Sequence, residues 1–124
     1  VIAGVTPAAI YRGASEVGAL SSITGFGRLG TVNLPANTTT FAPNSQAQRA
    51  GINVIETLVS FNNGPTDNAF VTDFDNGEAS NNSLGSAVPT SLEMQLAPFD
   101  SGGGVFIQEN NQWFLAGVNS AVFH

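Results

Sequence analysis

The chain has no cysteine, no lysine and a single histidine, His124. Without cysteine it cannot form a disulfide, a thiolate nucleophile, an iron–sulfur cluster or a cysteine-based zinc site. One histidine also excludes a metal site built from several imidazoles. We therefore assign no cofactor and no metal ligand, apart from one acidic loop that is considered below.

Positive charge is also scarce. Nine acidic residues face three arginines, which gives a net charge of −6, and charged residues make up only 10% of the chain. Three arginines cannot neutralise a row of phosphates, so nucleic acid is excluded as a partner. The same balance disfavours an anionic membrane surface, and no apolar run approaches the roughly 20 residues that span a bilayer. The abundance of Asn, Thr, Ser and Gly predicts an extracellular, secreted protein.

The length and the turn residues predict one all-β domain. The chain has 124 residues, which fits a single domain, and 42% of them are hydrophobic, which is enough to fold. Glycine and proline interrupt the chain about every ten residues, and no window has a long apolar pattern at helical spacing. A helix over residues 48–61 is possible, but Gly51 and the β-branched residues disfavour it. These features favour a sandwich or a barrel.

The individual elements follow from short runs rich in Val, Ile, Thr and Phe. We predict a turn at residues 62–65 and a hairpin around residues 109–112. We predict loops over the polar residues 33–45 and 76–85. The predicted strands are residues 8–11, 17–26, 48–61, 68–74, 105–108 and 113–118.

The most informative segment is Asp100-Ser101-Gly102-Gly103-Gly104, which is followed directly by an apolar strand. The glycines let the backbone turn sharply and let a substrate approach the serine closely. Backbone N–H groups in such a turn can converge on one point, as an oxyanion hole requires. The alternative is a glycine-rich β-turn with an incidental serine.

Three segments in order along the chain then resemble the chymotrypsin/trypsin-like serine proteases. They are Ile23-Thr24-Gly25-Phe26-Gly27, the Asp100-Ser101-Gly102-Gly103 segment, and Leu115-Ala116-Gly117-Val118-Asn119-Ser120. The likeness covers the second β-barrel of that family, in a cysteine-free form that suits secreted bacterial members. It implies an antiparallel β-barrel truncated at both ends, with residues 1–124 as one nucleophile-bearing domain and with the first barrel absent.

The resemblance implies roles for the residues of the turn. Ser101 would be the nucleophile, and the backbone N–H groups of Phe99 and Ser101 would form the oxyanion hole. Asp100 would be the buried carboxylate that pairs, in the family, with a newly formed N-terminal ammonium.

The resemblance also implies a primary specificity pocket. Gln95 would lie at its base, and Ser120, Ala121 and Val122 would form its wall. A neutral Gln95 offers no partner for Arg or Lys, and Val122 replaces a usual glycine. Small or medium apolar side chains are therefore the expected substrates.

The sequence departs from the family pattern in ways that limit the expected activity. Phe99 replaces a glycine, and Gly104 replaces a proline. The catalytic histidine and aspartate are missing, and His124 is interpreted as an unrelated terminal residue. A triad needs a base beside the nucleophile, so a first-barrel segment would have to supply both residues and the isolated chain is expected to be inactive.

Two function classes therefore stay open. One is a serine endopeptidase that acts on a polypeptide substrate through Ser101. The other is a non-catalytic, protease-derived β module in an extracellular assembly or adhesive structure. A third and plainer reading is a secreted β-sandwich in which residues 99–103 form an ordinary exposed loop.

The acidic loop at residues 73–78, Asp-Phe-Asp-Asn-Gly-Glu, is similar to a calcium-binding loop. Its glycine falls one position early for the usual register. In a strand, Asp73 and Asp75 would share one face. The alternatives are calcium binding and an ordinary acidic loop. Glu56 and Glu93 show no pairing in the sequence, so a glycosidase carboxylate pair is not supported.

Overall fold

The computed structural model describes residues 2–33, 38–64, 66, 68–120 and 122. Over these residues the chain is mostly β-strand, with one short 3₁₀ turn at Ala79–Asn81, which confirms the predicted β-rich fold. The strands are β1 (Ala9–Ile10), β2 (Leu20–Gly25), β3 (Gly30–Asn33), β4 (Thr38–Phe41), β5 (Arg49–Val54), β6 (Thr57–Val59), β7 (Ala69–Val71), β8 (Gly104–Glu109) and β9 (Gln112–Val118).

The principal sheet has the strand order β1-β9-β8-β2-β5. Neighbouring strands in this sheet are antiparallel, except that β1 runs parallel to β9. Alternate residues of β2 and β8 point inward, which buries Ile23, Val105 and Ile107 on one face. Ile55, directly after β5, is fully buried as well. This small apolar core holds together the strands that carry the glycine-rich turn.

The β8–β9 hairpin confirms the prediction for this part of the chain. Its register runs from Gly104 opposite Val118 to Glu109 opposite Gln112. The connection is Asn110-Asn111, and both residues have positive φ, as a tight hairpin turn that follows the strand twist requires. The turn at residues 99–103 leads directly into this hairpin.

Two predictions of local structure were wrong. The segment 33–45, predicted as a loop, contains β4, which pairs with β3. Thr38–Phe41 is three threonines and a phenylalanine, whose β propensity outweighs the neighbouring proline and polar residues. Both strands are largely exposed, so they lack the buried face that would have made a strand recognisable. The predicted strand 48–61 is two strands, β5 and β6, separated at Ile55 and Glu56.

The described strands form three separate sheets, because β3–β4 and β6–β7 are independent two-stranded pairs. No hydrogen-bonded ring closes over this part of the chain, so the barrel stays a prediction.

In the same described part, no helix has the length and the hydropathy to cross a membrane.

Candidate functional site

Asp100 connects two segments of the chain that lie 73 positions apart. Its side chain is buried, and its two carboxylate oxygens accept backbone hydrogen bonds from Gly27 at 2.7 Å and from Ala97 at 2.9 Å. Arg28, which follows Gly27, donates its backbone N–H to the Pro98 carbonyl at 3.0 Å. The end of β2 and the glycine-rich turn are therefore held together through the Asp100 carboxylate.

Asn119 brings the third segment to the same place. Its buried side-chain amide donates to the carbonyl of Thr24 at 2.8 Å and to that of Asp100 at 3.1 Å. Its backbone exchanges hydrogen bonds with the turn, donating to Gly103 and accepting from Gly102. All three segments that carry the sequence resemblance thus meet around the residues that flank Ser101.

Two backbone N–H groups of this turn lack an acceptor. Those of Asp100, Gly102 and Gly103 donate to Ala97, Asn119 and Asp100, respectively. Within the described residues, the N–H groups of Phe99 and Ser101 donate to no protein atom. The two donors that the resemblance assigns to the oxyanion hole are therefore the two that the fold leaves available.

The Ser101 side chain is exposed beside Ser120. Its Oγ donates to the Ser120 carbonyl over 3.4 Å, which is a long and weak hydrogen bond. A carbonyl oxygen cannot take up a proton at neutral pH, so this contact does not activate the hydroxyl. No histidine occurs among the described residues, because His124 lies outside them.

Phe99 adopts a backbone conformation that is unusual for a phenylalanine. Its φ is +77°, in the region that glycine occupies without strain. The ring is 61% exposed, and its centroid lies 5.2 Å from the Arg28 guanidinium carbon. Position 99 therefore has a conformation that favours glycine, and its aromatic residue is largely exposed.

We expect Phe99→Gly to be more stable than Phe99→Ala by about 1 kcal/mol, because only glycine adopts positive φ without a steric cost. Both variants lose the ring and its contact with Arg28, so their difference isolates the backbone term. Chemical denaturation of the two variants measures this difference. The usual order, with alanine more stable than glycine, would contradict the left-handed conformation.

One cavity adjoins the turn, and a second, larger cavity shares part of its lining. The smaller has a volume of about 230 Å³, and its lining includes Phe99, Ser101, Ser120 and Val122. The larger, of about 600 Å³, includes Gln95 in its lining and shares Ser120 and Val122 with the smaller one.

Gln95 is fixed in position by its neighbours. Its amide nitrogen donates to the Thr72 carbonyl at 2.9 Å, and its side-chain oxygen accepts from Leu96 N–H at 3.0 Å. It lines the larger cavity, whereas Ser101 lines the smaller. Ala121 lies outside the described residues, so its predicted place in the pocket wall stays a prediction. The same holds for the predicted pairing of Asp100 with an N-terminal ammonium.

A group of acidic side chains lies after β5 and β7. Glu56, Asp73 and Asp75 each place one carboxylate oxygen within 4.8 Å of the others. Burial raises the pKa of Glu56 to about 7, and the neighbouring Asp73 carboxylate acts in the same direction. Burial also raises the pKa of Asp75, followed by the charges of Asp73 and Glu93. The sequence pointed to Asp73 and Asp75 but gave no sign that Glu56 joins them.

The chain was compared with protein-family models, with curated proteins and with solved structures. No protein-family model, no curated protein and no solved structure matches the chain.

Proposed function

We propose that this chain carries the nucleophile and the oxyanion hole of a serine endopeptidase. The observation that carries the proposal is the set of free donors at the turn. Two distant segments, the end of β2 and Asn119, fix the backbone around Ser101. The only N–H groups of residues 99–103 without a protein acceptor are those of Phe99 and Ser101. Both donors flank Asp100, whose carboxylate holds the turn, and one of them belongs to Ser101 itself.

The proposed reaction is acyl transfer to Ser101. Its Oγ attacks the carbonyl carbon of the scissile peptide bond, and the carbonyl oxygen takes the negative charge of the tetrahedral intermediate. The N–H groups of Phe99 and Ser101 then stabilise that oxyanion, and one such donor contributes on the order of 10²–10³ in rate. A histidine from another segment, oriented by an aspartate, accepts the serine proton and gives it to the leaving amine.

The cavity beside Ser101 supports a polypeptide substrate with an apolar side chain. Its lining includes Phe41, Leu96 and Pro98 together with Val122, and its volume is about 230 Å³. Gln95, expected at the base of this pocket, lines the larger cavity instead, where it carries no charge and is hydrogen-bonded to Thr72. Small or medium apolar residues are therefore the proposed specificity.

Domain and location are part of the same proposal. The described strands would belong to the second β-barrel of a trypsin-like protease, with the first-barrel segment as the partner that supplies histidine and aspartate. The low charge content and the absence of cysteine suit a secreted bacterial enzyme.

The test is the selectivity of phosphonylation among the serines of one molecule. We expect a fluorophosphonate probe to modify Ser101 at least about a hundredfold faster than the exposed serines in loops, because one oxyanion-hole donor has this effect on rate. Peptide mapping by mass spectrometry at several times measures both rates. Ser101→Ala removes the fast adduct. Ser91→Ala is the matched control, since it removes an exposed serine that lines neither cavity, and it keeps the adduct.

Equal modification of Ser101 and the loop serines would contradict the proposal. Such a result would favour the second candidate, a non-catalytic β module in an extracellular assembly. The observation on that side is that the Ser101 hydroxyl contacts only the Ser120 carbonyl among the described residues. Open edges of the principal sheet could pair with another chain, but they give this candidate less support. At one edge, Leu92 and Met94 already hydrogen-bond to Ile52 of β5, and at the other edge β1 has only two residues.

A further inference from the structure

The carboxylates of Glu56, Asp73 and Asp75 form a cluster whose inner oxygens have no hydrogen-bond donor. Asp75 is only 8% exposed and its Oδ1 is buried without a partner. Glu56 Oε2 and Asp73 Oδ1 are likewise buried and unpartnered. Buried carboxylate oxygens without a donor are costly, so such a group in a folded protein indicates a missing ligand or a proton.

The backbone orients this cluster through the opposite oxygens. Asp73 Oδ2 accepts the N–H groups of Ser83 and Leu84, each at 2.8 Å. Glu56 Oε1 accepts that of Ser86 at 3.1 Å. In each of these two carboxylates, one oxygen holds the 83–86 loop by hydrogen bonds, and the other oxygen has no hydrogen-bond partner among the described residues.

The charged groups that shift the pKa values of Glu56 and Asp75 are all acidic, so no cation of the described residues compensates them. The charges that raise the pKa of Asp75 are those of Asp73 and Glu93, both negative. Glu93 itself has a buried, unpartnered Oε1, while its Oε2 accepts from Thr90. Four acidic residues thus lie close together in a chain that has only three arginines.

We propose that Glu56, Asp73 and Asp75 bind a calcium ion. Calcium binds oxygen ligands at 2.3–2.6 Å, so two ligands of one ion are at most about 5.2 Å apart. One carboxylate oxygen from each of the three residues meets that condition, since these oxygens all lie within 4.8 Å of one another. Carboxylates without histidine or cysteine are hard ligands, which do not suit zinc, and magnesium demands a shorter and more regular arrangement.

The ion would stabilise a wall of the larger cavity. The Asp73 carbonyl accepts a hydrogen bond from the buried Asn53 side chain at 2.7 Å, and the same amide donates to the Met94 carbonyl at 2.8 Å. Asp73 and Gln95 line that cavity together. Calcium would therefore fix the loop after β7 against the segment that leads to Ser101.

The test is calcium titration of the metal-free chain, followed by isothermal calorimetry and by thermal unfolding. We expect a saturable binding heat with one ion per chain. A hundredfold excess over Kd should raise the Tm by on the order of 10 °C. Magnesium at the same concentration should give a much smaller rise.

Asp75→Asn and Glu56→Gln remove one ligand charge each, and both should abolish the calcium-dependent rise. Without calcium, each should melt at or above the wild-type temperature, because it removes a buried and uncompensated charge. Glu109→Gln is the matched control: it changes charge by the same amount on an exposed residue at the end of β8, outside the cluster, and keeps the full response. Should Asp75→Asn fail to fold, Glu56→Gln carries the test alone.

The proposal is overturned if calcium at about 10 mM, above the range of weak extracellular sites, produces neither heat nor a Tm rise. It is equally overturned if both ligand variants respond like the wild type. It does not depend on the role of Ser101, since Ser101→Ala should bind calcium as the wild type does.

Discussion

Asp100→Asn is expected to lower the free energy of unfolding by about 3 kcal/mol, since a buried charged acceptor is lost and one donor is left unsatisfied. Both carboxylate oxygens accept backbone N–H groups, from Gly27 and Ala97. An asparagine has one acceptor oxygen, and its NH₂ group would face the second N–H in either orientation. The connection between the end of β2 and the turn would then be broken on one side. Chemical denaturation measures the loss.

The same variant should slow phosphonylation of Ser101, because the turn that presents the two free donors is held by this carboxylate. Glu78→Gln serves as the control, with the same change of charge on an exposed residue and an expected effect within about 0.5 kcal/mol. A loss for Asp100→Asn that is no larger than that of the control would contradict the hydrogen bonds assigned to Asp100.

Gly103→Ala is the second substitution with a large expected effect. A Cβ at this position would lie 2.1 Å from the Thr24 carbonyl oxygen and 2.7 Å from the Asn119 amide nitrogen. The first of these is backbone inside the principal sheet, so it cannot move aside as a flexible side chain could. We expect a loss of about 3 kcal/mol or more from this overpacking, read from the midpoint of denaturation.

Gly18→Ala is the control for Gly103→Ala, because it separates the stability cost of crowding from that of the backbone conformation. Gly18 has a φ of +83° with no atom within 4 Å of the added Cβ, so alanine there meets only the conformational cost of about 1 kcal/mol. If Gly103→Ala costs no more than Gly18→Ala, the close packing of the turn against Thr24 and Asn119 is wrong.

Much of the fold was predictable because its strands have strong local signals. Ile23 stands between two polar residues in β2, and the apolar run at 105–107 marks β8. The paired asparagines mark the turn between β8 and β9. The β3–β4 pair was missed since both of its strands are largely exposed, which removes the periodic pattern on which such predictions depend.

The residues of the candidate site could be predicted where they are adjacent in the sequence. They could not be predicted where the fold brings them together from distant positions. Asp100 and Ser101 stand out among glycines. The role of Asn119, which joins Thr24 to the turn, depends on a contact 95 positions away and leaves no local pattern. Glu56 joins Asp73 and Asp75 in the same way, from a strand end that carries no acidic motif of its own.

The central claim is that the turn leaves the N–H groups of Phe99 and Ser101 free to bind an oxyanion. Amide hydrogen exchange measured by NMR, in the free protein and in its phosphonylated form, tests it most directly. We predict slow exchange at Asp100, Gly102 and Gly103 in both forms. Phe99 and Ser101 should exchange fast in the free protein and become protected in the adduct, as the phosphonyl oxygen accepts both bonds. Protection of Phe99 and Ser101 already in the free protein, or fast exchange that persists in the adduct, would contradict the account.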